Sequence, residues 1–473
     1  MDLIPLPKSY TEKGGRFPVA PAIRCSDEAL LPAAKVFAGY AKKAFGRAWS
    51  LGSSENGVEL RLCASLAEEG YTLSADGRRV VISASALAGA NRALATLMQL
   101  LDDGLTLPEC EISDAPDCEY RAYMADVAND RHELEWLLGY LDMCWFYKIG
   151  MLHIHFTDNR IYSLPSRLFP RLSSEGHYTF EQLGRLVDYA AERGIQLVPE
   201  IDVPGHSAHF RNYPEIFGSE DIIMQTEGSM AAMSALFGEL CELFPNSRFI
   251  HIGGDEAEIS LWCEGEKCRE YALSCGINFD MPDRRLLAER LLANFVQKMA
   301  DAVLAHGRRP IVWEGFAPSV NEFVSRDITV VSWENYYQLI PQLLDAGFTV
   351  INGSWAPMYI VAPETRWTQE EVFNWSIFRW RPVHPQSPYL HMTVETDPNE
   401  LVTGGSLIAW GYGKCASEEE RLELLTAERG YAEERAPMLA ENTWNKAKRR
   451  SYEDIARAYA ACSRRYLPMC GRA

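Results

Sequence analysis

The stretch Arg248-Phe-Ile-His-Ile-Gly-Gly-Asp-Glu256 is a short apolar run that ends in two glycines and two adjacent carboxylates. A run this rich in isoleucine and phenylalanine reads as a buried strand. Glycines just past it let the backbone turn sharply and let a ligand come close. Adjacent carboxylates at a strand end repel each other when both are ionised, so their pKa values separate and one can keep a proton near neutrality. A general acid has that property. A solvated Asp-Glu pair on a loop is the alternative, and the rest of the chain weighs on the choice.

Outward from this strand, a regular alternation runs from about Arg121 onward. Strand-like runs start near Ala122, Gly150, Gln196, Arg248, Pro310, Ile328, Phe348 and Ser406, with helical patterns between them. Phe180 to Arg193 is apolar at Phe180, Leu183, Leu186, Val187, Ala190 and Ala191. Ala288 to His306 is apolar at Leu292, Phe295, Val296, Met299 and Val303, with Gly307 in the stop position. Eight strand-helix units in this length predict an α/β fold of the (β/α)8 TIM-barrel type. The seventh connection, about 353–402, is long, rich in proline and tryptophan, and irregular. Residues 452–467 read as a closing C-terminal helix.

Residues 1–115 differ. Val58–Cys63 and Arg79–Ser83 read as strands and Ala86–Leu101 as an alanine- and leucine-rich helix, which predicts a small α+β domain closed by the turn-rich Ser113–Asp117. The expected division is therefore 1–115 and 116–473.

The chain has 473 residues and a net charge of −19, which argues against nucleic acid or an anionic membrane as a partner. No run approaches the about 18 apolar residues of a membrane span. Met1 to Ser9 lacks a basic start and an apolar segment, so no signal peptide is expected and the location is cytoplasmic unless a signal was removed. The twelve cysteines include no Cys-x-x-Cys pair and read as free thiols. Cys263, Cys268 and Cys275 do not have zinc-site spacing. No metal or other cofactor is expected.

In a barrel of this kind the chemistry sits at the C-terminal ends of the strands. Loaded residues fall there repeatedly: Asp126, Asp158, Glu200, Asp202, His206, Asp255, Glu256, Trp313, Glu314, Trp333 and Trp410, with Arg121 near the first strand.

His251-Ile-Gly-Gly-Asp-Glu256 resembles the signature of glycoside hydrolase family 20, the β-N-acetylhexosaminidases. Tyr120-Arg-Ala-Tyr-Met-Ala-Asp126, His153-Ile-His-Phe-Thr-Asp158 and Arg193-Gly-Ile-Gln-Leu-Val-Pro-Glu-Ile-Asp-Val-Pro-Gly-His206 resemble its first three barrel strands. Tyr71-Thr-Leu73 with Thr96-Leu-Met-Gln-Leu100 resembles its small preceding domain. The resemblance implies a retaining exo-hydrolase of terminal N-acetylglucosamine or N-acetylgalactosamine, acting on an oligosaccharide or glycoconjugate. The substrate's own acetamido group would be the nucleophile, giving an oxazolinium-type intermediate. It implies Glu256 as acid/base, Asp255 as the group that orients the acetamido nitrogen, and Tyr359 as the donor to its oxygen. It implies Arg121 on O3 and O4, an Asp158–His206 relay to the acid, and Trp313, Trp333 and Trp410 as walls of the sugar pocket. An ion pair with Asp126 is the structural alternative for Arg121.

The chain departs from the family's pattern in three places. Tyr359-Ile-Val361 stands where Tyr-x-Asp is usual, Trp410-Gly-Tyr412 where Trp-x-Glu is usual, and Asn159-Arg160 where Asp-Gln is usual. The reaction machinery is expected intact and the O4/O6 side of the pocket altered, with Trp355, Arg366 or Arg379 as residues that could refill it. Two other readings remain open at this level. One is a non-catalytic sugar-binding homologue. The other is a metal-dependent amidohydrolase-like barrel built on His153 and His155.

Overall fold

A computed structural model describes residues 1–364 and 366–472. The first unit is a seven-stranded mixed sheet ordered β1-β7-β5-β6-β4-β2-β3. Its strands are β1 Ser9–Pro18, β2 Ala22–Cys25, β3 Ser50–Leu51, β4 Val58–Leu62, β5 Tyr71–Ala75, β6 Val80–Ala84 and β7 Thr106–Asp114. The alternating burial of β5 and β6 leaves one face of the sheet to be covered by the helices Leu31–Phe45 and Leu87–Leu100.

The second unit is a closed parallel barrel of eight strands: β8 Tyr120–Asp126, β9 Met151–His155, β10 Gln196–Val203, β11 Phe249–Gly253, β12 Arg309–Trp313, β13 Thr329–Ser332, β14 Thr349–Asn352 and β18 Val402–Ala409. Pairing of β14 with β18 and of β18 with β8 closes the ring. Between β14 and β18 the chain forms the short strand β15 Tyr359–Ile360, which pairs with the C-terminal end of β18, and the small hairpin β16 Arg379–Trp380 with β17 Val394–Glu395. Strands such as β8, β9 and β11 are buried along their whole length, as expected where helices cover the outside and side chains fill the inside.

Helices follow most strands. Thr179 caps the helix Phe180–Glu192 with a reciprocal box to Gln182, and this fixes its start. The eight-unit expectation fails in one place. After β12 there is only the 3-10 turn Pro318–Phe323, because Gly315 and Pro318 break a connection too short for a helix. The 22-residue helix Arg284–Ala305 takes over that part of the outer wall. Its Glu289 accepts from Ser319 Oγ at 2.6 Å and its Gln297 from the Ser325 amide at 2.7 Å. Helices Glu418–Trp444 and Tyr452–Met469 end the fold. Among the described residues every cysteine is free, and no helix is long and apolar enough to cross a membrane.

The two units meet at the bottom of the barrel, through charges that sequence reading placed elsewhere. Arg121 is fully buried at the N-terminal end of β8, opposite Gly405. It donates to Glu69 of the small domain at 2.5 Å and to the Cys118 carbonyl at 2.7 Å, and it lies over the Trp444 ring. Five residues of strand, about 17 Å, separate it from the C-terminal end of β8. It therefore does not hold the O3 and O4 of a sugar, nor does it pair with Asp126.

Candidate active site

The turn after β11 explains both glycines of the opening motif. Gly253 and Gly254 have φ of +69° and +114°. A Cβ on Gly254 would stand 2.1 Å from Val312 Cγ2, and one on Gly253 would stand 2.1 Å from Asp202 Oδ1. The chain thus turns hard against β10 and β12 and delivers Asp255 and Glu256 into the mouth of the barrel. Glu256 and His206 also have left-handed backbones, with φ of +47° and +48°. Non-glycine residues held there store strain that the surrounding structure must impose. The two strained residues face each other, His206 Nε2 to Glu256 Oε2 at 3.4 Å.

A line of alternating acids and imidazoles runs from the barrel interior to Glu256. Buried Glu200 accepts from His155 Nδ1 at 2.8 Å, and His155 Nε2 lies 3.5 Å from Asp158. Asp158 contacts His206 Nδ1 at 3.1 Å. Burial works against a charged His155 or His206, but the carboxylates around each outweigh it and hold both imidazoles well above their ordinary pKa. Asp158 is held low by the same two rings, against its burial. Glu256 is held below its usual range, chiefly by its contact with His206.

Asp255 behaves in the opposite way. Burial, then the neighbouring carboxylates of Asp202, Glu256 and Glu200, push it well above the usual carboxylate range. Burial also pushes Asp202 up to about 7, although His206 opposes the shift. The two acids have oxygens within 4.8 Å of one another, so the charge on each disfavours ionisation of the other. Asp255 Oδ1 and Asp202 Oδ1 are both buried without a hydrogen-bond partner. A carboxylate oxygen without a partner is free to accept a hydrogen bond.

Aromatic rings close the rest of a 290 Å³ pocket. Trp313 is oriented by its indole N–H to Glu200 at 2.5 Å, and Trp333 by its indole N–H to the Glu314 carbonyl at 3.2 Å. Tyr359, on β15, stacks on Trp355 at 5.4 Å, and Trp410 lies 6.1 Å from Tyr359. Val361 completes the wall. Of the residues expected at the site, the structure brings together Asp158, His206, Asp255, Glu256, Trp313, Trp333, Tyr359 and Trp410, and leaves out Arg121. Tyr412 is 44% exposed and does not line the pocket. Of the refilling residues, Trp355 does enter the wall. Arg366 pairs with Glu364 and lies over the Trp355 ring, and Arg379 pairs with Glu395 in the hairpin.

Asp202, expected at the rim but given no role, and Asn129, not expected there, complete the site. Asp202 follows Glu200 by two on a strand, so both face inward. Asn129 bridges Asp126 and Asp158 at 3.0 and 2.8 Å. No pattern in the sequence marks it. The three buried histidines at the base have a simple account. His153, His155 and His251 converge on Glu200 at 2.9, 2.8 and 3.2 Å, so their facing nitrogens are engaged by its carboxylate.

Cleaving a glycosidic bond calls for a proton donor at the edge of a sugar-sized pocket. Glu256 at the C-terminal mouth of this barrel, beside a sugar-sized pocket walled by aromatic rings, is an arrangement that suits that chemistry. Comparison with known proteins narrows the class. Residues 118–447 match the model of the glycosyl hydrolase family 20 catalytic domain, and residues 1–115 match domain 2 of the same family. The chain belongs to glycoside hydrolase family 20. It is 30% identical over 387 residues to a beta-hexosaminidase of Porphyromonas gingivalis, covering 70% of this chain and 47% of that one. It is 30% identical over 324 residues to a beta-hexosaminidase of Vibrio furnissii, covering 60% and 51%. The chain thus spans about half the length of these curated relatives. A solved beta-N-acetylhexosaminidase of Streptomyces coelicolor shares the fold at a TM-score of 0.75 and 20% identity, covering 99% of this chain and 96% of that one.

Proposed function

We propose that this chain is a retaining exo-β-N-acetylhexosaminidase that works by substrate assistance. The observation that carries the reading is the unpaired buried oxygen of Asp255 beside half-exposed Glu256. A sugar's acetamido N–H supplies the donor that Asp255 lacks, and that bond favours the ionised carboxylate. The sugar also excludes water from Glu256, and this desolvation raises its pKa toward that of a working acid.

In the first step the acetamido oxygen attacks the anomeric carbon while Glu256 gives its proton to the departing oxygen, and the exocyclic bond breaks. Tyr359 donates to the acetamido oxygen and holds it in line, where proximity lowers the barrier. Asp255 stabilises the positive charge that develops on the nitrogen. In the second step Glu256 takes a proton from water, which attacks the anomeric carbon from the face the leaving group vacated, and the bond from that carbon to the acetamido oxygen breaks to restore the acetamide. Two inversions give net retention. The Asp158–His206 line orients Glu256 and sets its charge. Trp313, Trp333 and Trp410 enclose the sugar.

The substrate is an oligosaccharide or glycoconjugate that ends in a β-linked N-acetylhexosamine. With Val361 in place of an acid, that wall offers the unpartnered indole N–H of Trp355 and no carboxylate to select a hydroxyl there. N-acetylgalactosamine and 6-O-substituted sugars are therefore tolerated beside N-acetylglucosamine. Inhibition by a thiazoline mimic of the cyclic intermediate tests the mechanism. It should bind far more tightly than N-acetylglucosamine, and Asp255→Asn should weaken it along with turnover. A sugar trapped covalently on a protein carboxylate would refute it.

A further inference from the structure

We infer that the catalytic pocket continues into a built groove that holds a neutral glycan chain beyond the scissile bond, so that the enzyme prefers the ends of longer chains to short glycosides. This rests on the hexosaminidase reading and concerns the part of the substrate that leaves. Past Glu256 lies a cavity of 370 Å³, walled by Trp333, Tyr336, Tyr337, His384 and Gln386. It shares Glu258, both tyrosines and Gln386 with an outer cavity of 820 Å³, well above the size of the pocket that takes the cleaved sugar. The three spaces form one path with Glu256 at the junction of the first two.

A continuous run of rings lines that path. From Tyr359 to Trp355, His384, Tyr336 and Tyr337, successive centroids are 5.4, 5.5, 6.3 and 4.8 Å apart. Aromatic faces pack on the apolar faces of pyranose rings while hydroxyls reach polar neighbours, so such a wall suits sugars in series. The wall is held in place at some cost. Buried Glu314 accepts the backbone N–H groups of Asn335, Tyr336 and Tyr337. Buried Glu334 accepts those of Val383 and His384 at 2.9 and 3.0 Å, and Ser387 Oγ donates to its carbonyl. Burying two carboxylates on backbone amides is expensive for a loop with no further use. The outer cavity's charges offset one another: Glu258, Glu264 and Glu289 line it with Arg284 and Arg285, Arg285 pairing with Glu289 at 3.0 Å and Arg284 donating to the Phe279 carbonyl at 2.8 Å. A neutral chain fits that balance better than an anionic one.

The test uses the full chain and four substrates: an aryl β-N-acetylglucosaminide and the β-1,4-linked N-acetylglucosamine dimer, trimer and tetramer. For wild type, kcat/KM should rise from dimer to trimer by roughly threefold to tenfold, the scale of one aromatic contact. Ser260→Trp, placed on the exposed rim to fill the outer cavity, should return the trimer-to-dimer ratio to about one. Tyr337→Ala should lower the same ratio. Hydrolysis of the aryl glycoside and the dimer with no gain at the trimer would overturn the groove while leaving the hexosaminidase reading intact. No hydrolysis of any substrate would overturn the reading on which it rests.

Discussion

Arg121 separates the sequence motif from the structure most sharply, and Arg121→Met puts it to the test. Methionine keeps much of the length and removes the charge. The variant loses the 2.5 Å contact to Glu69, the 2.7 Å bond to the Cys118 carbonyl and the packing over Trp444. Removing one partner of a buried ion pair costs about 3–5 kcal/mol. Glu69 keeps Arg92 at 2.8 Å, so the expected loss sits at the low end, about 3 kcal/mol, or roughly two decades in the folded-to-unfolded ratio. Urea unfolding should show it as a lower midpoint. The value of kcat/KM on an aryl N-acetylglucosaminide, measured well below that midpoint, should stay at the wild-type value. Acid adds a second signature. Burial alone would raise the Glu69 pKa, but Arg121 and Arg92 bring it from 4.5 to about 2. A carboxyl depressed in this way stabilises the fold above its unfolded pKa, and the contribution fades as pH falls through about 4.5 toward 2. The two stability curves should therefore converge in that window. Unchanged stability with a collapse of kcat/KM would return Arg121 to the sugar and refute the placement.

Other positions give equally definite outcomes. Gly254→Ala meets Val312 at 2.1 Å in a backbone with φ of +114°, and strain and overpacking together should cost about 2–6 kcal/mol in thermal or urea unfolding; wild-type stability would contradict the turn geometry. His206→Gln removes the cation that holds Glu256 low, so the protonated acid should persist to higher pH and the basic limb of the kcat/KM profile should move upward; an unmoved limb would free Glu256 from His206. Prolonged chelation should leave turnover unchanged, because His153, His155 and His251 are engaged by Glu200; a loss restored by zinc would give that cluster a metal.

The barrel was legible because eight apolar runs are spaced by helical patterns, and each run begins within a few residues of an observed strand. The exception, the absent helix after β12, came from a connection broken by Gly315 and Pro318, where the preceding long helix covers the gap. The acid pair and its glycines were legible for a physical reason: Gly253 and Gly254 stand where no Cβ fits. Arg121 misled because it lies inside a strand that resembles the family's first strand, and a motif does not say which end of a strand points at the ligand. Register decides that, and register is a property of neighbouring strands. Trp355 was visible only as a residue in an irregular connection, where no periodicity assigns a facing. Asn129 and Glu334 were illegible, and Glu314 was legible only as an acid at a strand end, since their partners are mostly side chains and loop amides on other segments.

The most direct test of substrate assistance is the rate on aryl β-glycosides whose N-acetyl group carries no, one, two or three fluorines. Fluorine draws electrons from the carbonyl oxygen and makes it a poorer nucleophile, with little change in size. If that oxygen attacks the anomeric carbon, kcat should fall steeply at each added fluorine, by about tenfold for each 1.4 kcal/mol added to the barrier. Rates that stay level across the series would mean that another group attacks the sugar, and the mechanism assigned to Asp255 and Glu256 would be wrong.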